Sequence, residues 1–361
     1  MPIDVNNGTK SSATAKPENN FENNTIDTTP TTGIDVVQNE ITDNADTATT
    51  GIDVVQNGIT DNADTTTAGI DVVQNKMTSN ANTATAGIHG LTAAEMNDPN
   101  SIVVTIADQS TPIVILFGPP SCGKTMTLVR LTRYLKSEGY TVVPDRTFRP
   151  TEDTNYTQLC DDFDQMINSS NAAASTNVVS FLLVKVMKNG RPICQILEAP
   201  GELYFNPEKP TQPFPAYVNT IINSSCRKVW AVMVEPDWSN PVSRNNYVSR
   251  IRDLKVQMMP RDKTVFVFNK IDKTPYVLGA GQVNIKEARK NIENLYPNIF
   301  VPFKTNLPFG LGFLFGSGYD CDFIPFQTGT YTQAINGQTY QEGNECYPRL
   351  LWNTLLKRIN G

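Results

Sequence analysis

Apolar residues gather beyond residue 100, in runs whose length and spacing predict alternating strands and helices. SIVVTIAD (101–108) is β-branched and strand-like, and IVILF (113–117) is a continuous apolar run of the kind a buried parallel strand carries. After a glycine-bearing loop, MTLVRLTRYLKSEG places apolar residues at helical spacing and stops at Gly139. YTVVPDRTFRP predicts a short strand and a turn, and residues 156–167 a helix. SFLLVKVMK (180–188) and RPICQILEAPG (191–201) are two β runs joined by Asn189-Gly190, a strong hairpin signal. KVWAVMVEP (228–236) and TVFVF (264–268) predict further buried strands, NYVSRIRDLKVQM and NIKEARKNIENLY helices, and NIFVPF (298–303) the last strand. This alternation predicts an α/β fold, a three-layer αβα sandwich. Its sheet is mostly parallel with one antiparallel hairpin, and its ligand lies at the carboxyl ends of the strands. Beyond Asn306 the chain is rich in Gly and aromatics, which predicts hairpins or an ordered loop near that ligand. ECYPRLLWNTLLKRI then closes the chain as an amphipathic helix packed on the sheet.

Residues 1–100 follow no such pattern. GIDVVQN recurs at Gly33, Gly51 and Gly69, with a degenerate GIHG at Gly87, a period of 18 residues. Each unit offers only a short apolar patch before a polar Asn/Thr stretch, too little to build a core. This region holds 14 acidic and 3 basic side chains and one aromatic, Phe21. The remaining 261 residues hold 22 acidic and 27 basic side chains and 30 of the 31 aromatics. Like charge without aromatics cannot offset the entropy of ordering. The expectation is a disordered acidic tail over 1–100 and one folded domain over 101–361.

The single histidine, His89, falls in that tail, which excludes histidine-based triads and histidine-ligated zinc from the folded part. The six cysteines have no C-x-x-C pairing, and the N-terminus has no apolar leader. Both predict a cytoplasmic protein with reduced thiols. The longest apolar runs are about strand length, so no membrane span is expected. The basic residues are spread out, so nucleic acid is not an expected partner.

GPPSCGKT (118–125) lies between the apolar strand and the helix, the context a phosphate-binding loop requires. Gly118, Pro119, Pro120, Ser121, Cys122 and Gly123 form the loop, and Lys124, Thr125 and Met126 open the helix. Backbone amides there point at a phosphate, Lys124 supplies a point charge, and the Thr125 hydroxyl suits Mg²⁺. Downstream, Glu198-Ala199-Pro200-Gly201 ends the hairpin's second strand, and Asn269-Lys270-Ile271-Asp272 ends the strand 264–268.

In this order the three segments resemble those of P-loop GTPases of the translation-factor/Ras-like class, over residues 113–306. The E-A-P-G-E turn and the aromatic C-terminal part are also similar to bacterial double-GTPase-type proteins, although only one phosphate-binding loop is present. The resemblance implies binding of GTP/GDP with Mg²⁺, slow hydrolysis as a molecular switch, and a protein effector. It implies Glu198, where Asp is usual, as a water-mediated Mg²⁺ ligand, and Gly201 as the sensor of the γ-phosphate. Asn269, Lys270 and Asp272 would hold guanine, whose N1–H and N2–H₂ a carboxylate can accept. Glu202 takes the place of a water-positioning glutamine, and a carboxylate there predicts slow turnover. Lys304 or Thr305 stands where a base-bracing turn follows the last strand. Thr147, Thr151 and Thr176 are the candidate switch threonines, and Arg146 or Arg149 the candidate arginine finger. Two other readings stay open: a nucleotide-binding adaptor that does not hydrolyse, and an ATP-dependent phosphotransferase.

Overall fold

A computed structural model describes residues 90–168, 181–305, 318–334 and 337–361. The 18-residue repeats, His89, Thr176 and Asn336 lie outside the described residues. The described part begins before residue 101. Thr92 caps helix α1 (Ala93–Asn97) through a reciprocal capping box with Glu95, and Leu91 is buried in the core. The chain then runs as an extended strap. Ile102, Val104 and Ile106 point inward while Val103 is exposed. SIVVTIAD alternates as a strand would but joins no sheet. Its contacts include one backbone bond, from Thr105 N–H to the Phe148 carbonyl at 2.8 Å.

Strand β1 (Ile113–Phe117) is fully buried, which explains its unbroken apolar run. Each such side chain contributes about 1.5–3 kcal/mol by leaving water. Helix α2 (Lys124–Ser137) follows, then β2 (Thr141–Pro144), α3 (Thr154–Asn168), β3 (Leu182–Lys188) and β4 (Arg191–Glu198). The turn Asn189-Gly190 takes positive φ at both residues, the geometry that pattern requires. After short α4 (Gly201–Tyr204) and α5 (Ala216–Asn223) come β5 (Lys228–Val234), α6 (Pro241–Gln257) and β6 (Lys263–Phe268). A small hairpin, β7 (Val277–Gly279) with β8 (Gln282–Val283), precedes α7 (Ile285–Leu295).

The main sheet has seven strands in the order β2-β3-β4-β1-β5-β6-β9, where β9 is Asp322–Pro325. β3 runs antiparallel to both neighbours, and every other pairing is parallel. Helices cover both faces, so the αβα sandwich with one antiparallel portion is the observed fold. β10 (Gly329–Ala334) and β11 (Gly337–Glu342) form a separate hairpin, and α8 (Cys346–Asn360) packs beside α2.

The last strand differs from expectation. Within residues 298–303, Asn298 adopts a left-handed φ of 68°, and Val301–Phe303 is a turn of 3₁₀ helix. Phe300 and Phe303 serve as plugs on Phe266, with ring centroids 4.8 and 5.3 Å away. The edge position belongs to β9, where Pro325 is tolerated because an edge strand has one unpaired side.

Candidate nucleotide site

The carboxyl ends of β1, β4, β5, β6 and β9 bring the three sequence motifs to one edge of the sheet. Leaving β1, the chain curls through residues 118–123 before α2 begins. Two points of that curl require unusual backbone: Ser121 at φ 60° and Gly123 at φ 90°. At Gly123 a Cβ would also stand 2.2 Å from Asn269 Nδ2, so only glycine fits. Thr127 N–H closes the first helical bond on the Gly123 carbonyl at 2.9 Å, leaving the amides of the preceding turn directed at the loop. Pro119 and Pro120 have no N–H, so they shape the loop without donating to a ligand.

Lys124 is buried, and its Nζ donates to the carbonyls of Gly118 and Pro119 at 3.2 and 2.9 Å. Met126 packs its side chain inward. Cys122 is fully buried, and burial pushes its thiol up to about 11. That makes it a packing residue inside the curl.

Glu198 ends β4 level with Leu116 of β1, which sets its carboxyl against the first turn of α2. The Thr125 hydroxyl donates to Glu198 Oε1 at 3.1 Å, and Oε2 is buried without a partner. Burial raises the Glu198 carboxyl to about 7, against the opposing pull of Lys124. A hydroxyl beside a carboxylate oxygen that lacks a partner is a donor set suited to a hard divalent cation. Among the described residues no three His, Cys, Asp or Glu side chains gather as a metal cluster.

Gly201 opens α4 with its backbone against the loop. A Cβ there would meet Pro120 N at 2.2 Å and the Pro119 carbonyl carbon at 2.3 Å. This contact joins the E-A-P-G turn to the phosphate loop and accounts for the glycine. Glu202 is exposed on the next residue.

Asn269 leaves β6 buried and donates from Nδ2 to the Cys122 carbonyl at 2.9 Å. Lys270 takes a left-handed φ of 56° and ion-pairs with Glu235 and, at 3.5 Å, with Asp237. Burial would depress its ammonium, but the Glu235 contact outweighs this and raises it. Asp272 is exposed in the following 3₁₀ turn. Sequence reasoning missed Glu235 and Asp237, which stand just beyond β5.

Sequence reasoning also missed the loop leaving β9. Phe326 N–H donates to the Phe268 carbonyl at 2.7 Å, and Ile271 N–H to the Phe326 carbonyl at 3.2 Å. Gln327 and Thr328 therefore follow directly beside Asn269-Lys270-Ile271-Asp272. The signal was available as a second apolar run, DFIPF, followed by Gln-Thr-Gly.

Two expected residues fall elsewhere. Lys304 bridges to Tyr319, ahead of β9 and beside the start of β6, so it lies at the opposite edge of the sheet from Asn269. The misassigned last strand is the reason. Arg149 sits in the loop after β2, an edge strand separated from β1 by β3 and β4. Its guanidinium is buried and bonded to Glu95, to Asp153 at 2.9 Å and to the Val103 carbonyl at 2.7 Å, which commits it to the α1 region rather than to the phosphate loop. Arg146 pairs with Asp161 at 2.5 Å, and the Thr147 hydroxyl donates to Asp145 at 2.6 Å.

No helix among the described residues is long and apolar enough to cross a membrane. No family model matches the chain, and no curated protein matches it. Among solved structures it is similar to nucleolar GTP-binding protein 1 of Plasmodium falciparum at 14% identity, covering 72% of this chain and 92% of that one, with a TM-score of 0.34. It is similar to the GDP-bound Roco2 RocCORdC of Methanosarcina barkeri at 13% identity, covering 71% and 52%, TM-score 0.29. The Ski7 GTPase-like domain of S. cerevisiae, bound to GDP and inorganic phosphate, is 12% identical over 73% and 52%, TM-score 0.32. The chain spans about half the length of the last two.

Proposed function

We propose that this protein binds GTP and GDP at the edge of the sheet and hydrolyses GTP slowly, as a molecular switch. The observation that carries the reading is the Asn269–Cys122 hydrogen bond, which makes the phosphate loop and the N-K-I-D segment one site. In this reading the loop amides and Lys124 hold the β- and γ-phosphates, and the Lys124 ammonium exchanges the Gly118 and Pro119 carbonyls for phosphate oxygens. Asp272 accepts from the guanine edge, Asn269 and Lys270 hold the segment in place, and the loop at Gln327 and Thr328 closes the base side.

Mg²⁺ fits Thr125 and Glu198, because the orphaned Oε2 gains a partner directly or through water. Bound there with nucleotide, it would neutralise charge on the phosphate oxygens. Catalysis then rests on positioning and charge, since the described residues include no histidine to act as a base. Glu202, next to Gly201, contributes a like charge toward the γ-phosphate, and Arg149 is committed elsewhere. Both features favour slow turnover and lend support to a second reading, nucleotide binding without hydrolysis.

Multiple-turnover phosphate release from GTP distinguishes the two. Under the first reading the full chain releases phosphate over many turnovers and Lys124→Ala abolishes it. Tight GTP binding with no phosphate release would leave only the second.

A further inference from the structure

A cavity of about 230 Å³, lined by no residue of the phosphate loop, opens between helix α1 with its following strap and the segment that continues from α4. Met96 and Pro99 form one wall, and Glu202, Tyr204, Lys209 and Arg250 line the rest. Arg250 projects from α6 and is only 6% exposed. Its Nε donates to the Tyr204 carbonyl at 2.8 Å and its Nη1 to the Gln212 carbonyl at 2.7 Å. The guanidinium carbon lies 3.5 Å from the centre of the Phe214 ring.

These contacts hold the guanidinium rigidly without neutralising it. Among the described residues no carboxylate forms an ion pair with Arg250, and Nη2 has no hydrogen-bond partner. Burial lowers its pKa, with Asp253 opposing only through space. A buried cation is costly unless it is paired, and a fixed guanidinium fork matches a carboxylate in shape and charge. The one acidic side chain among the lining residues, Glu202, is exposed. The other walls combine a thioether and several prolines with the Lys209 ammonium and the side-chain amides of Asn97, Asn206 and Gln212, so they suit a short apolar body carrying one negative group.

We propose that this cavity binds a small organic carboxylate, with its apolar part against Met96, Pro99 and Pro213 and its carboxylate on Arg250. Bound there, the ligand touches both the strap and the residues that follow Gly201. The proposal does not depend on the nucleotide reading.

Calorimetric titration of the full chain with benzoate tests it, with benzamide as the neutral isostere. The expected result is measurable binding of benzoate and at least about ten-fold weaker binding of benzamide. Arg250→Gln should weaken benzoate by a similar factor. Met96→Trp fills the cavity without touching the Arg250 hydrogen bonds and should also abolish binding, so the proposal stays testable if Arg250→Gln fails to fold. Equal binding of benzoate and benzamide, no heat at millimolar benzoate, or undiminished binding to Met96→Trp would each overturn it.

Discussion

The side-chain amide of Asn269 donates to the backbone carbonyl of Cys122 at 2.9 Å, tying the end of β6 to the middle of the phosphate loop. Both groups are buried, so neither can turn to water for a replacement partner. Asn269→Ala should destabilise the protein by about 1–3 kcal/mol, the cost of an orphaned buried acceptor. Urea unfolding checks this: the midpoint falls while the slope is unchanged.

Gly201 presses its backbone against Pro119 and Pro120. In Gly201→Ala the added methyl would stand 2.2 Å from Pro120 N, a backbone atom that cannot rotate away. The loop or the turn must shift, at about 1–3 kcal/mol for overpacking. Under the proposed function, GTP affinity in a fluorescence titration should drop by about ten-fold or more. Circular dichroism should show the fold retained.

Glu198 predicts an inverted pH dependence. Its folded pKa is raised to about 7 from 4.5, so the unfolded chain releases this proton first as pH rises. Its stabilising effect is therefore complete below about pH 4.5 and is lost as pH rises through 7, about 3 kcal/mol in all for the ligand-free protein. Glu198→Gln should flatten that part of the thermal-denaturation profile between pH 5 and 8 and raise stability at about pH 8. Under the proposed function, it should also weaken the Mg²⁺ dependence of nucleotide binding.

Arg149 anchors the α1 region to the loop after β2 through Glu95, Asp153 and Val103. Arg149→Met leaves two carboxylates at a largely buried site and should cost about 3–5 kcal/mol. Phosphate release per folded molecule should not change. A large loss of turnover with full stability would restore it as an arginine finger.

Much of this was legible from spacing. The runs at 113–117, 191–201, 228–236 and 264–268 became β1, β4, β5 and β6 because a buried parallel strand leaves an unbroken apolar signature. The Asn189-Gly190 turn and the glycine loop were equally local. The misreadings came from tertiary competition. Residues 298–303 and 322–326 are both short, apolar and proline-bearing, and only packing of Phe300 and Phe303 on Phe266 decides which is the strand. Lys304 followed from that error. Arg149 looked like a free loop arginine because its partners, Glu95 and Val103, lie in a stretch whose composition read as tail or as an isolated strand. The Asn269–Cys122 bond spans 147 residues of sequence, and no spacing rule encodes it.

Under the proposed function, the site selects guanine. Competition of GTP and ATP for a fluorescent guanine nucleotide, repeated with Asp272→Asn, tests it most directly. GTP should displace the probe at least about a hundred-fold better than ATP, and Asp272→Asn should shift preference toward xanthosine nucleotides. If ATP competes as well as GTP, or if Asp272→Asn leaves the preference unchanged, the guanine assignment is contradicted.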